Sequence, residues 1–299
     1  MAKGFTVFKD RIWFVVDAAS RGIAEASGPV QKVGYGTLKS VLWTGYYLPG
    51  SPLRPAATAF SKVLGRDSAT TLYRGFANRF ILALRRIERL RLGHLEETSA
   101  LFRFPDKGKL DAALAGGTGV FVGLPHCHAS IAMARGLAET YPLLLLVRDP
   151  VDERRAKAMR VYYDNIGCEL FDVRNSPPIS VARSVFGALR KGKVVIGVTD
   201  RIKAAPPEEE PYLLQEDVWR TEAFSQPIGA AGWPARFAGK CKAPIFAGMV
   251  TQTDNEIALH LSDPIMVEDQ RAATQAWVSA FEGFFRQYPY DWGFIYDKF

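Results

Sequence analysis

Cysteine is scarce in this chain. Cys127, Cys168 and Cys241 are an odd number at wide spacing with no paired-Cys motif, which excludes a disulfide framework and a structural zinc site and points to a reducing, cytoplasmic compartment. Long apolar runs are missing too, because charge or proline breaks each one well before the roughly 20 residues a membrane-crossing helix needs. Arg11, Asp17 and Arg21 interrupt the apolar residues of 12–19 and no small-residue cleavage site follows a basic head, so no secretory leader is expected. Three catalytic signatures are absent: a G-x-S-x-G elbow, a P-loop and a G-x-G-x-x-G opening a helix. Hydrolase and nucleotide-binding readings therefore lack support. None of the common nucleic-acid-binding modules is present, and no nucleic-acid partner is expected. With 48% hydrophobic and 23% charged residues the composition is globular, and 299 residues allow one large α/β domain or two small ones.

The chain carries 38 Lys plus Arg against 31 Asp plus Glu, a net charge of +7 whose distribution is uneven. From Arg74 to Arg91, Phe76, Phe80, Leu84, Ile87 and Leu90 recur at helical spacing with Arg79, Arg85, Arg86, Arg89 and Arg91 between them. Two readings fit this basic amphipathic helix. It lies in an anionic membrane interface, held by buried stems and lipid phosphates, or it packs on the core and leaves a solvated basic face.

Residues 1–60 read as helix, loop, helix, a membrane-proximal segment ahead of a single α/β domain over 61–299. After the basic helix, a short apolar strand at 119–124 leads to Pro125 and a helix over about 129–139. Strands at 143–147, 169–173 and 194–199 alternate with helices over about 151–166 and 180–190. The rhythm predicts an α/β fold with a mostly parallel central sheet covered by helices, and ligands beyond the carboxyl ends of its strands. Further on, 224–236 reads as loop into helix, 243–251 and 257–261 as partnered strands, and 271–288 as the closing helix.

His126 and His128 follow the first apolar strand together. A histidine at such a strand end is placed to act as general base on an alcohol or amine, since its ordinary pKa lies close to physiological pH. Two hydrogen-bonded loop histidines are the bland alternative. A metal site built on His126, Cys127 and His128 is disfavoured, because no third ligand cluster stands at a helpful spacing.

From about Ser51 onward the chain resembles the lipid A lauroyl and myristoyl acyltransferases, within the lysophospholipid acyltransferase superfamily. The Arg-rich helix comes first. Gly119-Val-Phe-Val-Gly-Leu-Pro-His126 then looks like that family's strand leading to its catalytic His. Ser184-Val-Phe-Gly-Ala-Leu-Arg-Lys-Gly-Lys-Val-Val-Ile-Gly-Val-Thr-Asp200 is similar to its helix, Gly turn and strand ending in Asp, and Phe224-Ser-Gln-Pro227 to its F-x-G-x-P segment. One departure matters. The family places Asp or Glu after four intervening residues beyond its His, and here the corresponding positions are Ile131 after His126 and Met133 after His128. Neither orients an imidazole. His128 is one substitute; Asp200 or Asp149, reaching from a neighbouring strand end, is another.

The resemblance implies a membrane-peripheral acyltransferase on the cytoplasmic face of the cell membrane. It would move a fatty acyl group from acyl carrier protein or acyl-coenzyme A to a lipid or amphiphilic hydroxyl or amine acceptor, with no cofactor beyond that acyl thioester. His126 is the expected base and His128 its helper. Asp200, Arg201, Arg148, Arg160 and Ser130 are the expected substrate contacts, and amides at the start of the following helix would stabilise the oxyanion. The missing carboxylate motivates a second reading, a non-catalytic lipid- or carrier-binding protein that kept the fold.

Overall fold

The computed structural model describes residues 15–51 and 53–292; residues 12–14 of the first apolar segment lie outside that range. The N-terminal part is helical over 15–24 (α1), then Gly28–Tyr47 (α2) and Leu53–Leu64 (α3). Residue 60, the expected domain edge, falls inside α3, whose Phe60 and Leu64 enter the main core. α4 spans Ala69–Arg91, with Ser68 accepting a hydrogen bond from Thr71 N as its N-cap.

Strand and helix then alternate. β1 is Phe102–Arg103, β2 Val120–Leu124, β3 Leu143–Val147, β4 Glu169–Asp172 and β5 Val194–Val198. Between them lie α5 (Leu95–Ala100), α6 (Lys107–Leu114), α7 (Ser130–Ala138), α8 (Glu153–Tyr163) and α9 (Pro178–Arg190). The chain continues through β6 (Tyr212–Leu213), β7 (Val218–Ala223), β8 (Gln226–Ala231), α10 (Trp233–Cys241), β9 (Ile245–Thr253), β10 (Glu256–Leu261) and α11 (Gln270–Gln287).

Seven strands form one sheet in the order β1-β10-β9-β2-β5-β3-β4, parallel from β9 to β4, with β10 antiparallel to β9. The expected α/β class and mostly parallel sheet are therefore present. Its inner strands are unbroken apolar runs because both faces are covered. Val120, Val122, Leu143, Leu145, Val194 and Ile196 face the cluster that includes Phe60, Leu72, Met133 and Phe281. Their neighbours Phe121, Leu144, Leu146 and Val195 face Val185, Leu189, Ala235 and Ala238 of α9 and α10. The two-residue side-chain period thus sorts one strand set between two helix layers.

The segment 224–236 departs from the loop-into-helix expectation. β7 and β8 form an antiparallel hairpin, joined by β6 into a second sheet, and the helix starts only at Trp233. Its two-residue turn, Phe224 and Ser225, has φ of 52° and 58°. Positive φ at both central positions is the type I′ pattern, which Asn-Gly usually signals.

α4 packs on the core. Leu72, Tyr73, Ala77, Ile81 and Leu90 are buried, and Phe76, Phe80, Leu84 and Ile87 of the expected apolar stripe are half-buried. Its arginines are also engaged: Arg79 with Asp291 at 3.3 Å, Arg89 with Glu97 at 2.8 Å, Arg91 with Glu88 at 2.6 Å and Arg85 with Asp254 at 3.7 Å. Arg86 is buried, donating to Gln252 Oε1 at 2.7 Å, to Glu256 O at 3.1 Å and to Thr253 O, and burial lowers its guanidinium to about 10. It closes the backbone of the β9–β10 turn. Arg86→Ala, which orphans those acceptors, should cost about 3 kcal/mol, whereas Arg85→Ala should change stability by less than about 1 kcal/mol. Urea midpoints at equal m-value compare the two.

Candidate active site

Sheet register builds the site. In the parallel pair β2–β5, Leu124 stands opposite Val198, and Thr199 N donates to Leu124 O at 2.9 Å beyond the last paired residues. Two residues further along each strand stand His126 and Asp200. The carboxylate receives the His126 backbone N–H at 2.9 Å on Oδ2 and lies 2.5 Å from His126 Nδ1 through Oδ1. A carboxylate only accepts, so Nδ1 carries the proton of this bond and Nε2 is the basic nitrogen of the neutral ring. The Asp200 side chain is 2% exposed and that of His126 38%. Burial alone raises the Asp200 carboxyl, but the bonds from His126 and the indole of Trp292 outweigh it and hold the group below its ordinary range. Of the groups expected as partners of His126, Asp200 from the neighbouring strand is the one bonded to it. Asp149, the other substitute, lies 3.7 Å from Arg160 instead.

Trp292 is the residue that sequence reasoning missed. Its Nε1–H donates to Asp200 Oδ2 at 2.7 Å. The ring is fully buried, stacked on Phe285 at 3.9 Å with 9° between planes and edge-on to Phe60 at 5.6 Å. The preceding Asp291 accepts from Gln252 N at 3.1 Å and pairs with Arg79. Burial raises its carboxyl to about 6 despite that arginine. A lone tryptophan some ninety residues from its partner carries no sequence signal.

His128 does not stand where a helper base is needed. Its ring packs edge-on against Phe76 at 4.8 Å and Phe80 at 5.9 Å, and among the described residues no hydrogen bond joins it to His126 or Asp200. Its Nε2 is buried without a hydrogen-bond partner. Burial, reinforced by Arg79, lowers the imidazole to about 3. Ser130 donates its hydroxyl to Cys127 O at 3.0 Å and so closes a local turn. Ile131 packs against the main core.

Arg148 and Arg201 are exposed at the carboxyl ends of β3 and β5. Burial and the repulsion of Arg201 and Arg174 lower the Arg148 guanidinium, partly countered by Asp172. Arg201 and Arg174 thus lie close enough to Arg148 to repel it, with Asp172 among them, while Arg160 stands on α8 beside Asp149. Asp200 and Arg201 also line a crevice of about 30 Å³ whose other walls are mostly apolar, among them Phe224, Trp277, Phe281 and Phe285, with Glu282 at its margin. Among the described residues, no group of three His, Cys, Asp or Glu side chains is arranged to hold a metal ion.

The two shifted groups oppose each other in acid. His128 is held neutral in the fold but binds a proton when unfolded, so it withdraws stability as pH falls from about 6.5 toward 3. Asp291, raised from 3.8 to about 6, returns stability over that lower window because the fold takes up its proton first. His128→Leu should therefore remove roughly 2 kcal/mol of the loss between pH 7 and pH 5, read from urea melts at both pH values. An unchanged difference between the two pH values would show that His128 titrates freely in the fold.

Compared with known proteins, the chain matches no family model and no curated protein.

Proposed function

We propose that this chain is a membrane-peripheral acyltransferase, with a lysophospholipid acyltransferase-like fold, acting on the cytoplasmic side of the cell membrane. The observation that carries this reading is the His126–Asp200 pair at the carboxyl end of a parallel sheet, with Arg148 and Arg201 exposed at that end and a mostly apolar crevice lined in part by Asp200. The donor is an acyl thioester on acyl carrier protein or coenzyme A, and the acceptor a lipid or other amphiphile with a hydroxyl or amine.

Each group has a task. His126 Nε2 takes the acceptor's proton as its oxygen or nitrogen attacks the thioester carbonyl. Asp200 fixes the ring and stabilises the imidazolium as it forms. Amides of the first turn of α7 meet the developing oxyanion. When the tetrahedral intermediate collapses, the carbon–sulfur bond breaks and the imidazolium returns its proton to the departing thiolate. Arg148 and Arg201 suit phosphates of donor or acceptor, and the Phe224–Phe285 slot suits the root of an acyl chain.

The alternative, a non-catalytic lipid- or carrier-binding protein, is motivated by the carboxylate missing at Ile131, and the bond between Asp200 and His126 supports the catalytic reading over it. The test is acyl transfer from radiolabelled acyl carrier protein and acyl-coenzyme A to extracted membrane lipid. His126→Ala should abolish it, and Asp200→Asn should lower it roughly 10³- to 10⁴-fold, as loss of an orienting carboxylate does in the serine-protease triad. His128→Leu should stay within about threefold of the parent, less than 0.7 kcal/mol of barrier. Transfer that survives His126→Ala, or no transfer from either donor, would overturn the proposal.

A further inference from the structure

The outward face of α2 differs from the rest of the surface. Between Ala26 and Arg66 there is no Asp or Glu, although the whole chain carries 31, and the only charges in the stretch are Lys32, Lys39, Arg54, Lys62 and Arg66. Val30, Val33 and Val41 point outward along α2, with Val33 70% and Val41 61% exposed, and Tyr47 and Leu48 continue the row at its end. Three exposed hydroxyls interrupt the valines, and each gives its proton back to its own helix. Thr37 donates to Val33 O at 3.0 Å, Ser40 to Gly36 O at 3.0 Å and Thr44 to Ser40 O at 2.9 Å. Back-bonding of this kind lets Ser and Thr sit on a helix surface that faces hydrocarbon.

The flanks are aromatic and cationic. Lys39 Nζ lies 5.1 Å and the Arg74 guanidinium 5.4 Å from the Trp43 ring, and Arg54 stands 5.7 Å from the Tyr46 ring. Such pairs settle at the boundary between lipid headgroups and acyl chains. Behind the face, Tyr46 stacks on Tyr73 at 4.7 Å, Tyr73 meets Phe76 at 6.2 Å, and Phe76 touches His128, two residues from the candidate base. One helix layer separates the face from the site.

We propose that the outward face of α2, with its self-satisfied hydroxyls and acid-free cationic margin, docks on an anionic lipid bilayer. A second copy of the chain is a poorer occupant, because two such faces bring only like charges together. The proposal deepens the acyltransferase reading, on which its use, access to a membrane-borne acceptor, rests. The docking itself can be measured without turnover.

The experiment is co-sedimentation of the full chain with vesicles of phosphatidylcholine containing 30% phosphatidylglycerol, about the anionic share that gives a cytoplasmic leaflet its negative potential, and with vesicles of phosphatidylcholine alone. The parent protein should bind the anionic vesicles at least tenfold more tightly, and less so as salt rises. Val33→Glu with Val41→Glu should reduce that binding at least tenfold while circular dichroism and acyl transfer to a detergent-dispersed acceptor stay unchanged. Arg85→Glu with Arg89→Glu on α4 should leave binding as it is. Equal binding by parent and Val33/Val41 variant overturns the proposal. So does a concentration-dependent dimer that the variant splits while vesicle binding is absent. Vesicle binding without any acyl transfer overturns only the acyltransferase reading.

Discussion

An ionised carboxylate with 2% of its side chain in contact with water is stable only where donors replace the lost hydration, since an uncompensated buried charge costs several kcal/mol. Asp200 meets that requirement with three donors of separate origin. The His126 backbone N–H arrives through the β2–β5 register, the His126 imidazole through its own rotamer, and the Trp292 indole through the C-terminal strap. The strap is fixed in turn, because Trp292 stacks on Phe285 of α11 and Asp291 is tied to Gln252 on β9 and to Arg79 on α4. One buried anion thus couples the centre of the sheet, two helices and the end of the described chain. Those bonds also give the anion its value beside His126: a carboxylate held ionised favours the imidazolium at the moment it forms.

The parts of this arrangement differ in how far sequence discloses them. Val120–Leu124, Leu143–Val147 and Val194–Val198 were legible as strands because burial on both faces makes them unbroken apolar runs. His126 and Asp200 stood out as residues at strand ends, but whether they meet depends on which strands are neighbours and in what register, information spread over 74 positions. The His128 expectation went wrong through proximity in sequence: two residues on, the chain has turned the ring toward Phe76 and Phe80. The β7–β8 hairpin was invisible because its turn is Phe-Ser in place of Asn-Gly. There the tertiary contacts have overridden local preference: Phe224 N donates to Glu282 Oε2 at 2.8 Å, and the ring walls the slot beside Asp200.

Helical periodicity alone does not separate a helix that lies on a membrane from one that lies on a core. α4 and α2 dispose of their polar groups differently. On α4 the apolar residues are buried and the arginines between them meet carboxylates or, at Arg86, backbone carbonyls, so both faces are spent within the protein. On α2 the buried face carries Tyr35 and Tyr46, and the opposite face keeps its valines exposed with hydroxyls that satisfy themselves. The diagnostic is where the polar groups find partners, and that is a property of the tertiary structure rather than of the moment of either helix.

Strand register sets the contact between His126 and Asp200, and the helix that follows is left to pack the core. Ile131, the second residue of α7, packs against the main core. The Leu124–Val198 pairing and the bond from Thr199 N to Leu124 O fix both backbones just short of the two side chains. Beside Asp200 the crevice of about 30 Å³ has room for only a water molecule or two among its aromatic walls, so any larger group would have to displace side chains. One wall of that crevice is the hairpin tip, where Phe224 holds a backbone conformation that an aromatic residue rarely adopts and its N–H is fixed by Glu282, so the surrounding contacts have set the local geometry against its own preference.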